Sequence, residues 1–371
     1  MTKSSLRRKF LYFLYLLIVV FVLLEIALRI YNPLHFRIRG NQILLPISQQ
    51  LTIKNEINPK LDSVIINTRN GLGFRGPEKP ANWDSALTLI TVGGSTTECH
   101  FLSDNKTWEY QLEQLLKPAI KNLWLNNAGF DGHSTFGHQV LLNDYLIKLK
   151  PKIILFYVGI NDVENDQPSF HDELNRRGGY SDLKHYLFNN SEVLNIGLNL
   201  ARGWRAQKMN NTTHAMIDLQ KGTARVMTEQ QLAARKEQQN KFLPGYEKRL
   251  GQLIDTCQRY GITPVFMTQA LLFGQGTDSL TGVNLETFDT GHGMNGRCEF
   301  EVLELYNDVT RKLCAQKNVP VIDLARLMPK NSLYFYDNVH FTNAGAGKMA
   351  AIIAPELKGI ISRNFHSFAH E

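Results

Sequence analysis

Leu87-Thr88-Leu89-Ile90-Thr91-Val92-Gly93-Gly94-Ser95-Thr96-Thr97-Glu98 is the stretch on which the reading of this chain turns. Residues 87–92 are apolar or β-branched and of the right length for a buried strand. The two glycines then let the backbone bend sharply and leave Ser95 exposed at the strand's carboxyl end. Outward from this point the same unit repeats. Thr107 caps a helix carrying Trp108, Leu112, Leu115 and Leu116, and Pro118 helps to end it. Short apolar runs at 123–127, 153–158, 264–268 and 319–324 read as four more strands. Helical patterns lie between them at 246–260 and 300–315, and Thr342 caps a last helix through Lys348 and Ile353. Strand-helix alternation of this kind predicts a three-layer α/β/α fold around a five-stranded parallel sheet. One segment breaks the rhythm. Residues 164–240 are long, polar and Gln-rich, and read as an insertion, either a solvated decoration or a cap over a substrate.

The formal net charge is +7, which raises the question of nucleic acid. Residues 1–40 hold seven basic side chains and one acidic one, which leaves 34 basic and 33 acidic in the rest of the chain. No basic stripe remains for phosphates, so nucleic acid is excluded as a partner. The basic excess flanks an unbroken apolar run at 10–24, preceded by Arg7, Arg8 and Lys9. Fifteen residues is short of the roughly 20 that a span needs, but the run extends to Ile30 if Glu25 and Arg29, four apart, pair at the interface. No A-x-A cleavage pattern follows, so the segment reads as an uncleaved transmembrane helix with a cytoplasmic N-terminus. The rest of the chain then lies outside the cytoplasm.

The four cysteines, Cys99, Cys257, Cys298 and Cys314, form neither a C-x-x-C pair nor a zinc pattern. Cys257 and Cys314 fall on apolar helix faces and read as core. Cys99 and Cys298 both lie near the predicted sheet edge and read either as a disulfide or as two free buried thiols.

In open parallel sheets ligands sit beyond the carboxyl ends of the strands. The segments there are Gly93-Gly94-Ser95-Thr96, Gly129-Phe130-Asp131-Gly132, Gly159-Ile160-Asn161-Asp162 and Asp337-Asn338-Val339-His340. Together they offer a nucleophile, a base, a carboxylate three residues before that base, and donors for an oxyanion, which is the set that acyl transfer requires. Two other patterns do not carry chemistry. The G-x-G-x-x-G at 291–296 lacks an apolar strand before it, as a dinucleotide site would need. His133 and His138 are five apart, where metal ligation from one helix face needs four.

In these four blocks the sequence resembles the SGNH hydrolases, also called the GDSL family, whose blocks carry Ser, Gly, Asn and His. The first block here is Gly-Gly-Ser-Thr instead of Gly-Asp-Ser-Leu. The resemblance spans roughly 85–360, and Gly73-Phe74-Arg75-Gly76 also resembles the stem of membrane-tethered bacterial members. It implies an SGNH/flavodoxin-like domain at 81–371, joined through a stem at 31–80 to an anchor at 10–30 and a basic tail at 1–9. It further implies that Ser95 attacks an ester carbonyl, His340 takes the proton and Asp337 orients the imidazole. The Ser95 N–H, the Gly132 N–H and the Asn161 amide would form the oxyanion hole, with Gly129 the alternative to Gly132. The resemblance requires no metal and no organic cofactor. The implied activity is hydrolysis of O-acyl esters, acetyl among them, on a glycan or lipid of the cell envelope. An O-acyltransferase would use the same residues, and a catalytically silent glycan-binding or scaffold protein is the reading from another class. Oligomeric state is not legible.

Overall fold

Alternating apolar residues give each strand two faces to bury, so a sheet built from them needs helices on both sides. The computed structural model describes residues 3–34, 38–39, 42–43, 45–56, 58–168, 172, 187, 190–208, 214, 216–291 and 293–370. Among these, five strands form one parallel sheet: β1 (Leu87–Gly93), β2 (Leu123–Asn127), β3 (Ile153–Tyr157), β4 (Thr263–Met267) and β5 (Val321–Ile322). Their spatial order is β5-β4-β3-β1-β2. The first four lie within a residue of the expected ranges. The fifth is shorter than expected, because Pro320 brings no N–H to the ladder and the chain turns at Asp323 into the helix Leu324–Leu327.

Leu89, Leu155 and Val265 join Trp108, Leu112, Met349 and Ile353 in one fully buried cluster, which places the helices Trp108–Leu116 and Asn343–Asn364 on one face. The intervening residues Ile90, Ile154, Phe156 and Phe266 are buried towards the other face, where Phe156 and Phe266 stack at 4.8 Å. The helices Thr135–Leu141, Leu243–Arg259 and Gly296–Gln316 pack together on that side. Thr107 and Thr342 cap their helices, accepting from the N–H of Tyr110 and Gly345. The three-layer α/β/α fold is therefore the one the alternation predicts.

The chain divides into two compact units, residues 47–172 with 213–371 and residues 1–46 with 173–212. The larger unit holds the sheet. It also contains an antiparallel hairpin, Gln49–Lys54 with Val64–Arg69, and a bridge between Arg75 and Asn127 that covers the outer edge of β2. From Ile47 onward, the segment read as a connecting stem falls within this larger unit. The G-x-G-x-x-G segment forms an antiparallel pair, Asp289–Gly291 with Met294–Asn295, running into a helix that Asn295 caps; His292 lies outside the described residues.

In the smaller unit, Arg7–Ile30 is a helix of mean hydropathy 2.8, long and apolar enough to cross a membrane by length and composition. Most of its apolar side chains are exposed. Glu25 and Arg29 do pair, at 2.8 Å. Glu25 has a second role that no local pattern announces. Its carboxylate accepts from the Ser191 hydroxyl and the Glu192 and Val193 N–H groups, and so caps the helix Glu192–Lys208. Arg29 donates to the Asn190 carbonyl at 2.6 Å.

The Cys99–Cys298 disulfide is not formed, and all four cysteines are free and buried. Cys99 packs in the cluster of Leu102 and Trp108, whereas Cys298 packs with Leu232 and Val302. Both follow strand ends along the chain, but they enter different parts of the core.

Candidate active site

β1 delivers Ser95 to the sheet edge by a turn that only glycine fits. A Cβ on Gly93 would meet the Thr97 side chain and come within 2.7 Å of the Tyr157 carbonyl. One on Gly94 would meet the Asn161 amide and stand 3.1 Å from the His133 carbonyl. Ser95 then opens a single helical turn, Ser95–Glu98, which Cys99 ends in the left-handed conformation at φ 51°. The first N–H groups of a helix have no partner within it, so the Ser95 N–H faces outward from this turn.

The loop after β5 brings in the other two side chains. It is closed by a Phe335–Phe341 bridge, by the Tyr336 N–H donating to the His340 carbonyl at 3.0 Å, and by the Thr342 N–H donating to Tyr334. Within it Asp337 divides its two oxygens. Oδ1 accepts from the N–H groups of Val339 and His340 at 2.9 and 2.7 Å, forming the turn. Oδ2 faces His340 Nδ1 at 2.6 Å. His340 Nε2 lies 2.7 Å from Ser95 Oγ. Asp337, His340 and Ser95 are thus joined in one line across a sequence separation of 245 residues, and all three are buried. Burial pushes the Asp337 carboxyl up, but the attraction of His340 and the bonds from its ring and the two backbone N–H groups hold it below its ordinary value.

After β3, Gly159 takes φ +134° and starts a tight turn, Ile160–Asp162. Asn161 Nδ2 donates to the His133 carbonyl at 2.9 Å, beside Gly94 and hence next to the Ser95 N–H. An amide nitrogen has two hydrogens, and this bond uses one. Asp162, its neighbour, accepts from the Thr135 N–H and hydroxyl and pairs with Arg249 at 3.1 Å, so it caps the helix Thr135–Leu141.

The two glycine candidates differ. The Gly129 N–H donates to Asn127 Oδ1 at 2.7 Å, and its Cα lies tight against the backbone of Thr97 and Glu98. Gly132 sits at φ +70°, and among the described residues its N–H meets no acceptor.

Two residues at this site carry no sequence signal for it. Arg75, in the Gly-Phe-Arg-Gly segment, is buried and donates to the carbonyls of Glu98, Cys99 and Leu102, with Asp104 as its counter-ion at 2.7 Å. It thereby fixes the chain leaving the Ser95 turn. His214, from the insertion, packs against His340 with ring centroids 4.1 Å apart and the planes tilted by 37°. His214, Asp337 and His340 are the one group among the described residues whose ligating atoms could meet a metal ion, all within 4.8 Å. Both His340 nitrogens are already engaged, by Asp337 and Ser95, which fits proton transfer better than ligation. His133 and His138 are buried with ring centroids 6.1 Å apart and belong to no such group.

A model of the GDSL-like lipase/acylhydrolase family matches residues 90–348. The chain belongs to this family. It is an enzyme of the ester-hydrolase class, and the matched region runs from β1 into the last helix, enclosing all four blocks. No curated protein matches the chain. Among solved structures, an acetylxylan esterase from Geobacillus stearothermophilus is similar over 72% of this chain and 93% of its own, at 14% identity and TM-score 0.41. An α/β hydrolase from the metagenome of Lake Arreo, Spain, is similar over 74% and 96%, also at 14% identity and TM-score 0.41.

Proposed function

We propose that this family member is a serine esterase working through an acyl-enzyme, with Ser95 as nucleophile, His340 as general base and acid, and Asp337 as the orienting carboxylate. The observation that carries the reading is the continuous line from Asp337 Oδ2 through His340 to Ser95 Oγ, at 2.6 and 2.7 Å. As Oγ attacks the ester carbonyl, its proton passes to Nε2. Nδ1–H stays on Asp337, whose charge stabilises the imidazolium and whose other oxygen is pinned to the backbone. The proton then goes to the leaving alcohol, and water repeats the sequence to release the acid. The oxyanion is held by the Ser95 N–H, the Gly132 N–H and the second hydrogen of the Asn161 amide. These donors act most strongly when charge has formed on the carbonyl oxygen.

The substrate in this reading is an O-acyl group, acetyl foremost, on a cell-envelope glycan or lipid. The Arg7–Ile30 helix anchors the enzyme in the membrane as in the membrane-tethered bacterial members. The basic residues before it stay in the cytoplasm, and the catalytic unit works outside. Incubation of the full chain with an active-site serine phosphonate, followed by peptide mapping, tests the reading. Label on Ser95 is expected, and a chain that stays unlabelled while folded would leave only a scaffold role. Competition by added sugar hydroxyls during turnover separates hydrolysis from transfer.

A further inference from the structure

We propose that His214 is a positioning residue for the catalytic imidazole, a ring supplied by the insertion that braces His340 and ties it to the loop carrying Gly132. The proposal rests on the triad reading above and adds a member that none of the four blocks contains.

The contacts are specific. His214 lies 4.1 Å from His340 between ring centroids, with the planes inclined by 37°. Its Nδ1 is 2.7 Å from the Tyr336 hydroxyl, and its Nε2 is 3.5 Å from Asp131 Oδ1. Phe101 packs against it edge-on at 5.0 Å. Its side chain is 9% exposed. The chain that follows is held in place, since the Ile217 N–H donates to the Tyr336 carbonyl at 3.0 Å and Leu219 is buried in the core.

These partners divide between the two halves of the chemistry. Tyr336 immediately precedes Asp337. Asp131 immediately precedes Gly132, and its N–H donates to Glu98 at the end of the Ser95 turn. One ring therefore bridges the base segment and the oxyanion segment. Burial pushes the Tyr336 phenol well above its ordinary value, so its hydroxyl stays protonated at the contact with Nδ1. Nε2 faces the Asp131 carboxylate on the other side of the ring.

The contact has a chemical consequence. When His340 takes the Ser95 proton it becomes a cation beside the His214 ring, a favourable contact. Around His214 stand Asp131, Asp337, Tyr336 and His340, with Phe101 against the ring and His100 beyond it.

The test compares His214→Ala, His214→Phe and His214→Gln in the full chain, with active sites counted by phosphonate labelling of Ser95. Alanine is expected to lower kcat per labelled site about tenfold with KM little changed. Phenylalanine keeps the ring and should recover most of that loss. Glutamine keeps a polar partner for Tyr336 but no ring, and should behave as alanine does. Because rates are taken per labelled site, a poorly folded fraction does not enter them. An alanine variant with unchanged kcat per site would overturn the proposal. So would a rise in KM at constant kcat, which would make His214 a substrate contact. Failure of Ser95 to label in the unmodified chain would instead sink the triad reading itself.

Discussion

Asp337 and Asp162 both follow strands at the same edge of the sheet, both are buried, and both accept from backbone N–H groups. Their partners set them apart. Asp162 faces Arg249, a cation that never gives up its proton. Asp337 faces His340, whose charge comes and goes. Burial pushes Asp162 up to about 6 despite Arg249 and Thr135, whereas Asp337 is held below its ordinary value. The difference teaches how to tell a carboxylate that builds the rim from one placed, in the proposed triad, to serve the chemistry. The first ends on a fixed charge that closes a helix, and the second ends on a ring that leads to the proposed nucleophile.

Three substitutions, with Asp162→Asn as a control for the second, can break or sharpen this contrast. Asp337→Asn should fold normally and lose on the order of 10⁴ in kcat, because the amide supports the wrong imidazole tautomer. Turnover near that of the unmodified enzyme would remove Asp337 from the chemistry. Arg249→Met should do the reverse, with kcat per labelled site nearly intact and stability lower by ~3–5 kcal/mol in denaturant titration at pH 7. The pH dependence carries a sign. A carboxyl whose folded value is raised to about 6 contributes stability below its unfolded value, near 4, and that contribution is lost as pH rises to 6. Melting temperature should fall over that window through Asp162, and Asp162→Asn should flatten the fall. Asp337, lowered, contributes in the opposite direction, with stability present above its unfolded value and lost as pH falls through its folded one.

The smallest of the three concerns Asn161, adjacent to Asp162 yet on the other side of the division. Asn161→Ala should lower kcat by about 10²–10³, or ~2.7–4 kcal/mol, with KM little changed. Phosphonate labelling should slow in parallel, since it passes through a similar anion. Loss of melting temperature with unchanged kcat per site would class Asn161 with its neighbour as a builder of the turn.

The strands and the four blocks were legible because their signals are local. An apolar run of five residues and the glycines beside it need no knowledge of the rest of the chain. Asp337 and His340 are three apart, so their pairing is also local. What escaped depends on distance. His214 sits in a segment without period, and its three partners come from the loops after β2 and β5. Arg75 could be read as part of a turn from its flanking glycines, but the carbonyls it binds follow the Ser95 turn more than twenty residues later. The Cys99–Cys298 bridge failed for the complementary reason, since nearness to one edge along the chain does not set the direction in which each thiol enters the core.

Glu25 gives another of these separations a temporal meaning. Its carboxylate caps a helix whose first residues come 166 positions later. At ~5–20 residues per second of synthesis, roughly 8–33 s pass before those residues exist. Through that interval Arg29 is the partner already made, and the apolar helix is present with its acidic end half-satisfied. The clasp to the helix Glu192–Lys208 can close only after the first three strands of the sheet have been made, so the order of synthesis gives the sheet a head start over the unit that holds the apolar helix.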